Sequence, residues 1–360
     1  MGKFLTASLA ALAAAACLGV ATAGAATRQV LLGEQGKPPA GTPPGATLNQ
    51  MFPASIQINA GDKVMFTSRT FHTATYVGAG KPGQLFVPDP AGGKYTGIAD
   101  STGNPFFFDG LTKLIYNLAA FAPAGGTAID GSKPVSSGVL SPGANGKAVS
   151  ATFTFPKVGT YKLLCAVHPG MTANVVVKAA GAPVATEAAV KAAASTETAT
   201  AWTKAAKLAA TKVPANTVYA GLGGKTAILG FFPKKLTVKA GTRVNFVAKS
   251  PSEVHNVGFG PKKYLEALMK KVDLFPFGPG KPNQVPPFFL YGSEPAGGYT
   301  FDGSNHGNGF LATPLTDAQP GSPPAGLAGA ARITFTKAGT FRYICLLHGP
   351  DMNGTIVVTP

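Results

Sequence analysis

The chain contains the same pattern of metal-binding side chains twice, and the two copies are in register. Each copy has a cysteine, a histidine three residues later, a methionine shortly beyond and a lone histidine far upstream. The two copies are His72, Cys165, His168 and Met171, and His255, Cys345, His348 and Met352. Cys345 follows Cys165 by the same interval as His348 follows His168. This register indicates a duplicated unit with one candidate site in each half.

The donor atoms of each set are two imidazoles, a thiolate and a thioether. Both Cu(I) and Cu(II) tolerate a near-trigonal arrangement of two imidazoles and a thiolate with a weak axial thioether. The sequence therefore predicts two type 1 copper ions, one in each half. Structural zinc is disfavoured because it would use Cys and His without a thioether. A Cys165–Cys345 disulfide is disfavoured because two equivalent positions of the repeat would have to lie within about 7 Å.

The repeat extends beyond these side chains and predicts an all-β fold. Residues 52–66 match residues 232–246, and residues 155–161 match residues 335–341. These segments alternate apolar and polar residues, as half-buried strands do, and Ala-Gly and Gly-Thr steps mark turns between them. We therefore expect two tandem antiparallel β-sandwiches with long loop insertions.

The predicted domain organisation has four parts. Residues 1–26 have the features of a signal peptide, with Lys3, an apolar run and a small-residue cleavage site. Residues 27–180 form the first domain, 181–214 an Ala-rich linker with partial helix, and 215–360 the second domain. We expect a secreted, periplasmic or cell-surface protein without a transmembrane segment. Lipid anchoring at Cys17 is disfavoured because no Leu lies three residues before it.

Long excursions separate the first histidine and the cysteine of each half. Both contain aromatic clusters, at 106–108 and 288–291. These clusters either pack against the sandwiches or form an exposed docking surface. Residues 261–269 begin with Pro and space their apolar side chains helically, which predicts a short helix. His306 is interpreted as a solvated loop residue, and Trp202, in the linker, as a packing anchor.

The excess of basic residues indicates the charge of the expected binding partners. The chain has 31 basic and 15 acidic residues, a formal net charge of +16. This excess favours acidic redox partners, a donor and an acceptor, and association with an anionic cell envelope. Nucleic acid is not expected as a partner, because the lysines are spread out and no nucleic-acid-binding motif is present.

Both halves resemble the cupredoxins, the blue-copper family that includes plastocyanin and amicyanin. The resemblance is carried by residues 159–171 and 339–352, which contain the Cys, His and Met of each set. It implies a Greek-key β-sandwich in each half. Two residues separate His168 from Met171, as in amicyanin, whereas three separate His348 from Met352. Family members commonly have two or four, so this spacing departs from the pattern.

Two further expectations follow from the same resemblance. The residue after the first histidine is often Asn, a hydrogen-bonding residue that steadies the site. Asn256 keeps this feature and Thr73 departs from it, so the two coppers are expected to differ in potential. The resemblance also implies that the downstream histidine, His168 or His348, lies near the surface and is the port for electrons.

One-electron transfer is therefore the predicted function, with copper sequestration or delivery at the cell envelope as the alternative. Copper nitrite reductases place a histidine directly beside the cysteine, whereas Ala166 and Leu346 occupy that place here. Multicopper oxidases need His-x-His pairs, and the chain has none among its five histidines. We therefore expect no enzyme activity and assign no catalytic residues.

Overall fold

The computed structural model describes residues 25–142, 146–271, 283–295, 297–319 and 327–360. The predicted signal peptide, apart from its last two residues, lies outside this part of the chain. No helix among the described residues is long and apolar enough to cross a membrane.

Apart from one short helix, the regular elements described in the first half are strands. Its elements are β1 Thr27–Leu32, β2 Ala46–Leu48, β3 Met51–Phe52, β4 Ser55–Asn59, β5 Lys63–Ser68, β6 His72–Tyr76, β7 Phe86–Pro88, β8 Leu114–Tyr116, α1 Leu118–Phe121, β9 Pro123–Ala124, β10 Val135–Leu140, β11 Val149–Thr154, β12 Gly159–Leu164 and β13 Thr172–Lys178. A long helix, α2, follows at Glu187–Ala209.

The second half repeats most of this arrangement. Its elements are β14 Thr217–Gly223, β15 Thr226–Phe232, β16 Lys235–Lys239, β17 Arg243–Ala248, β18 Gly258–Phe259, α3 Lys262–Lys271, α4 Pro287–Leu290, β19 Gly298–Phe301, a 3-10 turn Asn305–Gly307, β20 Leu311–Ala312, β21 Ala330–Phe335, β22 Gly339–Cys345 and β23 Gly349–Thr359. The short helix predicted at 261–269 is confirmed by α3.

Among the described residues, each half has two large sheets, and β7 and β8 form a further two-stranded sheet. The strand orders of the large sheets are β11-β5-β1-β3 and β4-β13-β12-β6-β10-β9 in the first half, and β19-β21-β17-β14-β15-β2 and β16-β23-β22-β18-β20 in the second. The predicted all-β sandwich fold is confirmed. The sheets are mixed rather than antiparallel, because β1 pairs parallel with β5 and β14 pairs parallel with β17. Between β1 and β5 the chain crosses to the opposite sheet in β4, and such a crossover makes parallel pairing available.

The alternating segments bury one side chain in two, as half-buried strands do. In β4, Ile56 and Ile58 are buried while the flanking Ser55 and Gln57 are exposed. These two isoleucines belong to an apolar core that also contains Cys165 and Met171. The corresponding core of the second half contains Cys345 and Met352. Each candidate site therefore lies at the boundary of its own hydrophobic core.

The two halves are joined by more than the covalent chain. Strand β2 belongs to the first half by sequence, yet it pairs antiparallel with β15 and completes a sheet of the second half. The Asn49 amide, just after β2, donates to the Lys225 carbonyl at 2.8 Å. The predicted division at residues 27–180, 181–214 and 215–360 stays a prediction, and β2 is a strand that crosses it.

Helix α2 lies within the predicted linker and packs against both halves. Thr186 caps its first turn by accepting from the Ala189 amide at 3.2 Å. Val190 enters the first core, and Ala194 and Ala201 pack with Leu48, Phe52 and the partly buried Trp202. Small inward side chains let the helix lie close to the strands, so this segment is a structural element of the interface.

The aromatic clusters of the two excursions pack against each other, together with apolar side chains of the second half. This cluster between the two halves contains Tyr95, Phe106, Phe108, Leu265, Phe288, Phe289, Phe310, Ala312 and Leu346. The rings of Phe108 and Phe288 meet edge to face, with their centroids 5.1 Å apart. The alternative of an exposed docking surface is therefore wrong for these buried rings, which are core side chains shared by the two halves.

His306 lies in the same region, and its interpretation as a solvated loop residue is wrong. Its Nδ1 atom lies 3.3 Å from Asp100 of the first excursion, and its Nε2 atom lies 2.7 Å from Glu294. Its ring packs against Phe106 with the centroids 4.6 Å apart. The His306 ring therefore contacts two carboxylates and an aromatic ring, whereas the ring of a solvated loop histidine would contact water.

Candidate metal centres

The first centre forms where two adjacent strands end. His72 begins β6, and Cys165 follows directly after β12, its neighbour in the sheet. The His72 and His168 Nδ1 atoms are 3.0 Å apart, and the Cys165 Sγ atom lies 3.9 Å from the first and 3.5 Å from the second. All three side chains are buried.

The second centre has the same construction. The His255 and His348 Nδ1 atoms are 3.2 Å apart, and the Cys345 Sγ atom lies 3.4 Å from His348 Nδ1. His255 precedes β18, and a pair of backbone hydrogen bonds with Thr316 fixes it, at 3.1 and 2.7 Å. In each triad the ligand atoms lie within 4.8 Å of one another. Atoms that share one ion at about 2 Å each lie roughly 3–4 Å apart, so both triads fit a bound metal.

The two methionines lie in the same apolar cores as the cysteines and are fully buried. In the first half, the Cys165 amide donates to the Met171 carbonyl at 2.9 Å and closes the ligand loop. In the second half, an irregularity in the pairing of β22 and β23 sets Cys345 opposite Gly349. This irregularity accommodates the extra residue before Met352, which lies inside β23. Axial ligation by either methionine stays a prediction.

The residue after each upstream histidine supports the cysteine loop. The Asn256 Oδ1 atom accepts a hydrogen bond from the Leu346 amide at 2.8 Å. In the first half, the Thr73 Oγ1 atom accepts from the Ala166 amide, also at 2.8 Å. Thr73 therefore departs from Asn in identity but provides the same hydrogen bond. The environments of the sulfurs still differ, because the Thr73 amide donates to Cys165 Sγ at 3.3 Å.

Two glycines that sequence reasoning missed fix the upstream imidazoles. Gly33 and Gly221 both have a positive φ, +66° and +67°. Gly33 lies against the Nε2 edge of the His72 ring, and Gly221 against the same edge of the His255 ring. A Cβ added at either position would lie 2.3 Å from the Nε2 atom of His72 or His255. Neither Nε2 atom has a hydrogen-bond partner among the described residues. Contact with a glycine backbone therefore directs the Nδ1 edge of each ring towards its cysteine.

The electrostatics favour the thiolate form of both cysteines. Burial alone would raise the pKa of Cys165, but the charge of His168 and hydrogen bonds with His168 and His72 hold that pKa well below its usual range. In the same way, His348 and His255 outweigh burial and lower the pKa of Cys345. The thiolate is the form that ligates metals, so the triads are prepared for a cation.

Glu253, which sequence reasoning did not identify, lies between the two centres. Its Oε1 atom lies 3.3 Å from His168 Nε2, and its Oε2 atom lies 3.5 Å from His348 Nε2. Burial alone would raise the pKa of Glu253, but the two histidines lower it well below its usual range. No short-range motif marks this residue, because its role depends on how the two halves dock.

The expectation that His168 or His348 lies at the surface is wrong. Their side chains are only 11% and 16% exposed, because the two halves turn these histidines towards each other across Glu253. Both rings line a cavity of ≈ 450 Å³ between the halves, with walls that include Phe121 and Phe289. The two rings therefore line a partly open, mostly apolar cavity and not the outer surface.

Comparison with solved structures returns small copper proteins and larger copper enzymes. Auracyanin A, a blue copper protein of Chloroflexus aurantiacus, is 21% identical over 40% of this chain and 96% of its own, with a TM-score of 0.23. Plastocyanin from Dryopteris crassirhizoma is 18% identical over 40% and 99%, with a TM-score of 0.20. A copper-containing nitrite reductase of Thermus scotoductus is 16% identical over 93% and 68%, with a TM-score of 0.21.

No protein-family model and no curated protein matches the chain. Each half of the described chain is a β-sandwich with a buried triad of two histidines and a cysteine at its strand ends.

Proposed function

We propose that each half of the chain binds one copper ion and that the protein carries out one-electron transfer. The observation that supports this most directly is the pair of buried His, Cys and His triads, whose nitrogen and sulfur atoms converge in both halves. His72, Cys165 and His168 would hold the first ion, and His255, Cys345 and His348 the second, with Met171 and Met352 as axial ligands.

Bound copper would supply the Cu(I)/Cu(II) couple. The chain's own residues would fix the donor atoms and exclude water. Gly33 and Gly221 direct the upstream rings, Thr73 and Asn256 hold the cysteine loops, and the apolar cores enclose the methionines. A donor set held in one geometry needs little rearrangement when the charge of the ion changes, and this favours fast electron exchange.

Copper sequestration or delivery is the second candidate, and one observation favours it. The edges of His168 and His348 are buried between the halves, which hinders a protein partner from reaching them. Reversible electrochemistry with fast self-exchange would support electron transfer. Weakly held, readily exchanged Cu(I) without an intense blue colour would support delivery.

The deciding experiment combines copper quantitation with visible spectra of the wild type, Cys165→Ala and Cys345→Ala. We expect two coppers in the wild type and one in each variant, with about half of the blue absorption lost, because each thiolate serves one ion. Val158→Ala, at an exposed side chain in the turn before β12, is the control and should keep both ions. Full colour in either cysteine variant would refute the assignment for that half.

We further propose export through residues 1–26 to the periplasm, the cell surface or the medium, and electron exchange with acidic donor and acceptor proteins. The net charge of +16 supports the second proposal. We also propose that the chain is not an enzyme, since no histidine lies directly beside Cys165 or Cys345. Turnover of nitrite or of a phenolic substrate by the copper-loaded protein would contradict this.

A further inference from the structure

We propose that Glu253 is a positioning residue shared by both metal centres, so that the first centre depends on a side chain of the second half. This inference rests on the proposed function and goes beyond it, because it makes the two centres a coupled pair. It starts from one carboxylate whose two oxygens contact two imidazoles from different halves.

The geometry fixes the role of each nitrogen. The Nδ1 atoms of His168 and His348 face the cysteines, so these atoms are the candidate metal donors. Each Nε2 atom, which lies 3.3 or 3.5 Å from a Glu253 oxygen, would then carry the proton and face that carboxylate. A metal-binding histidine that donates its other N–H to a carboxylate is held in one tautomer and orientation, and it becomes a stronger ligand. Here a single carboxylate does this for two rings.

Glu253 is itself held from the first half. The Asn49 Nδ2 atom donates to Glu253 Oε1 at 2.9 Å and to the Ser252 hydroxyl at 3.0 Å. Asn49 directly follows β2, the strand that completes the sheet of the second half. The docking of β2 therefore also positions the carboxylate, and the interface between the halves forms part of both centres.

The shared role is not a product of the repeat. In the first half, the residue two positions before the upstream histidine is Thr70, whereas in the second half it is Glu253. In the part of the chain that the structure describes, the buried Thr70 hydroxyl has no hydrogen-bond partner, and Thr70 also lines the cavity between the halves. The duplicated chain thus has one carboxylate for two centres, so a change at one centre reaches the other through that group, and such coupling is reciprocal.

The test separates a shared role from a local one. Glu253 lies two residues from His255, so a merely local role would affect only the second centre. In a Cys345→Ala background, only the first centre keeps its thiolate. Adding Glu253→Ala should then lower the Cu(I) affinity of the first centre by about 10–100-fold, the usual effect of removing such a partner. Competition against a chromogenic chelator measures this affinity.

A second variant guards against simple loss of folding. Glutamine keeps one acceptor oxygen, but its amide group would face the other imidazole N–H, so Glu253→Gln should weaken one centre far more than the other. Glu294→Gln is the matched control, because it removes a carboxylate from His306, which belongs to neither triad. It should change neither affinity. Thermal unfolding of each variant verifies that it is folded.

The outcomes are distinct. An affinity of the first centre that stays within twofold after Glu253→Ala would overturn the shared role. Failure of the wild type to bind copper at its cysteines would instead overturn the proposed function. The metal-free protein offers an independent readout, since ¹⁵N NMR should show changed Nε2–H signals of both His168 and His348 in Glu253→Ala. A change confined to His348 would also overturn the inference.

Discussion

Replacing Gly33 with alanine should disable the first centre and spare the second. The backbone at Gly33 has φ +66°, a conformation that costs a residue with a Cβ about 1–2 kcal/mol. The added methyl group would also lie 2.3 Å from His72 Nε2, so the ring must move. Overpacking of this kind typically costs about 1–3 kcal/mol. We expect a total loss of roughly 2–5 kcal/mol in the free energy of unfolding.

The control separates backbone strain from the clash with the ring. Gly181 has φ +77°, and no described atom lies within 4 Å of a Cβ added there. Gly181→Ala should therefore cost only about 1–2 kcal/mol and leave both centres intact. Urea denaturation gives the free energies, and copper titration with visible spectra gives the occupancy. Gly221→Ala should reproduce the loss at the second centre. A Gly33→Ala protein that binds two coppers with an unchanged spectrum would refute this reasoning.

Two further expectations concern stability. Thr73→Ala should destabilise the chain by about 1–3 kcal/mol, because the buried Ala166 amide loses its hydrogen-bond acceptor. Thr73→Ser keeps the hydroxyl and should keep most of the stability. Equal urea midpoints for the two variants would contradict this. The Thr102 hydroxyl, with neighbouring amides and His306, lowers the pKa of Asp100 from 3.8 to about 2. Asp100 should therefore stabilise the fold above pH 4 and lose this contribution as the pH falls towards 2. Urea midpoints between pH 2 and 4 should fall less steeply in Asp100→Asn than in the wild type, and identical slopes would exclude this role.

Most of what the sequence predicted about the sites and the strands came from the repeat and from local patterns. The interval between Cys165 and Cys345, with the matching intervals of the histidines, was enough to select six side chains that the structure brings together as two triads. Alternation predicted the strands, because burying every second side chain is a local property of a strand. It did not give the parallel pairing of β1 with β5, which depends on a crossover between sheets.

Several features that sequence reasoning missed arise from contacts between the halves. Glu253 is a carboxylate with no counterpart in the other repeat, and its importance appears only when His168 and His348 face each other. The surface exposure of His168 or His348, which the family resemblance implied, was wrong for the same reason. The prediction that His306 is a solvated loop residue was wrong because its partner Asp100 lies far away in the chain. Gly33 and Gly221 had a findable signal, since each follows the apolar run of the first strand of its half.

The pairing of β2 with the second half has a consequence for self-association of the chain. Strand β15 would be an edge strand without β2, with unpaired backbone groups open to any other extended chain. A solitary copy of the second half would therefore invite strand-to-strand self-association. Fusion of the two copies covers that edge within one polypeptide, so their covalent linkage protects against aggregation as well as bringing two ligand sets together.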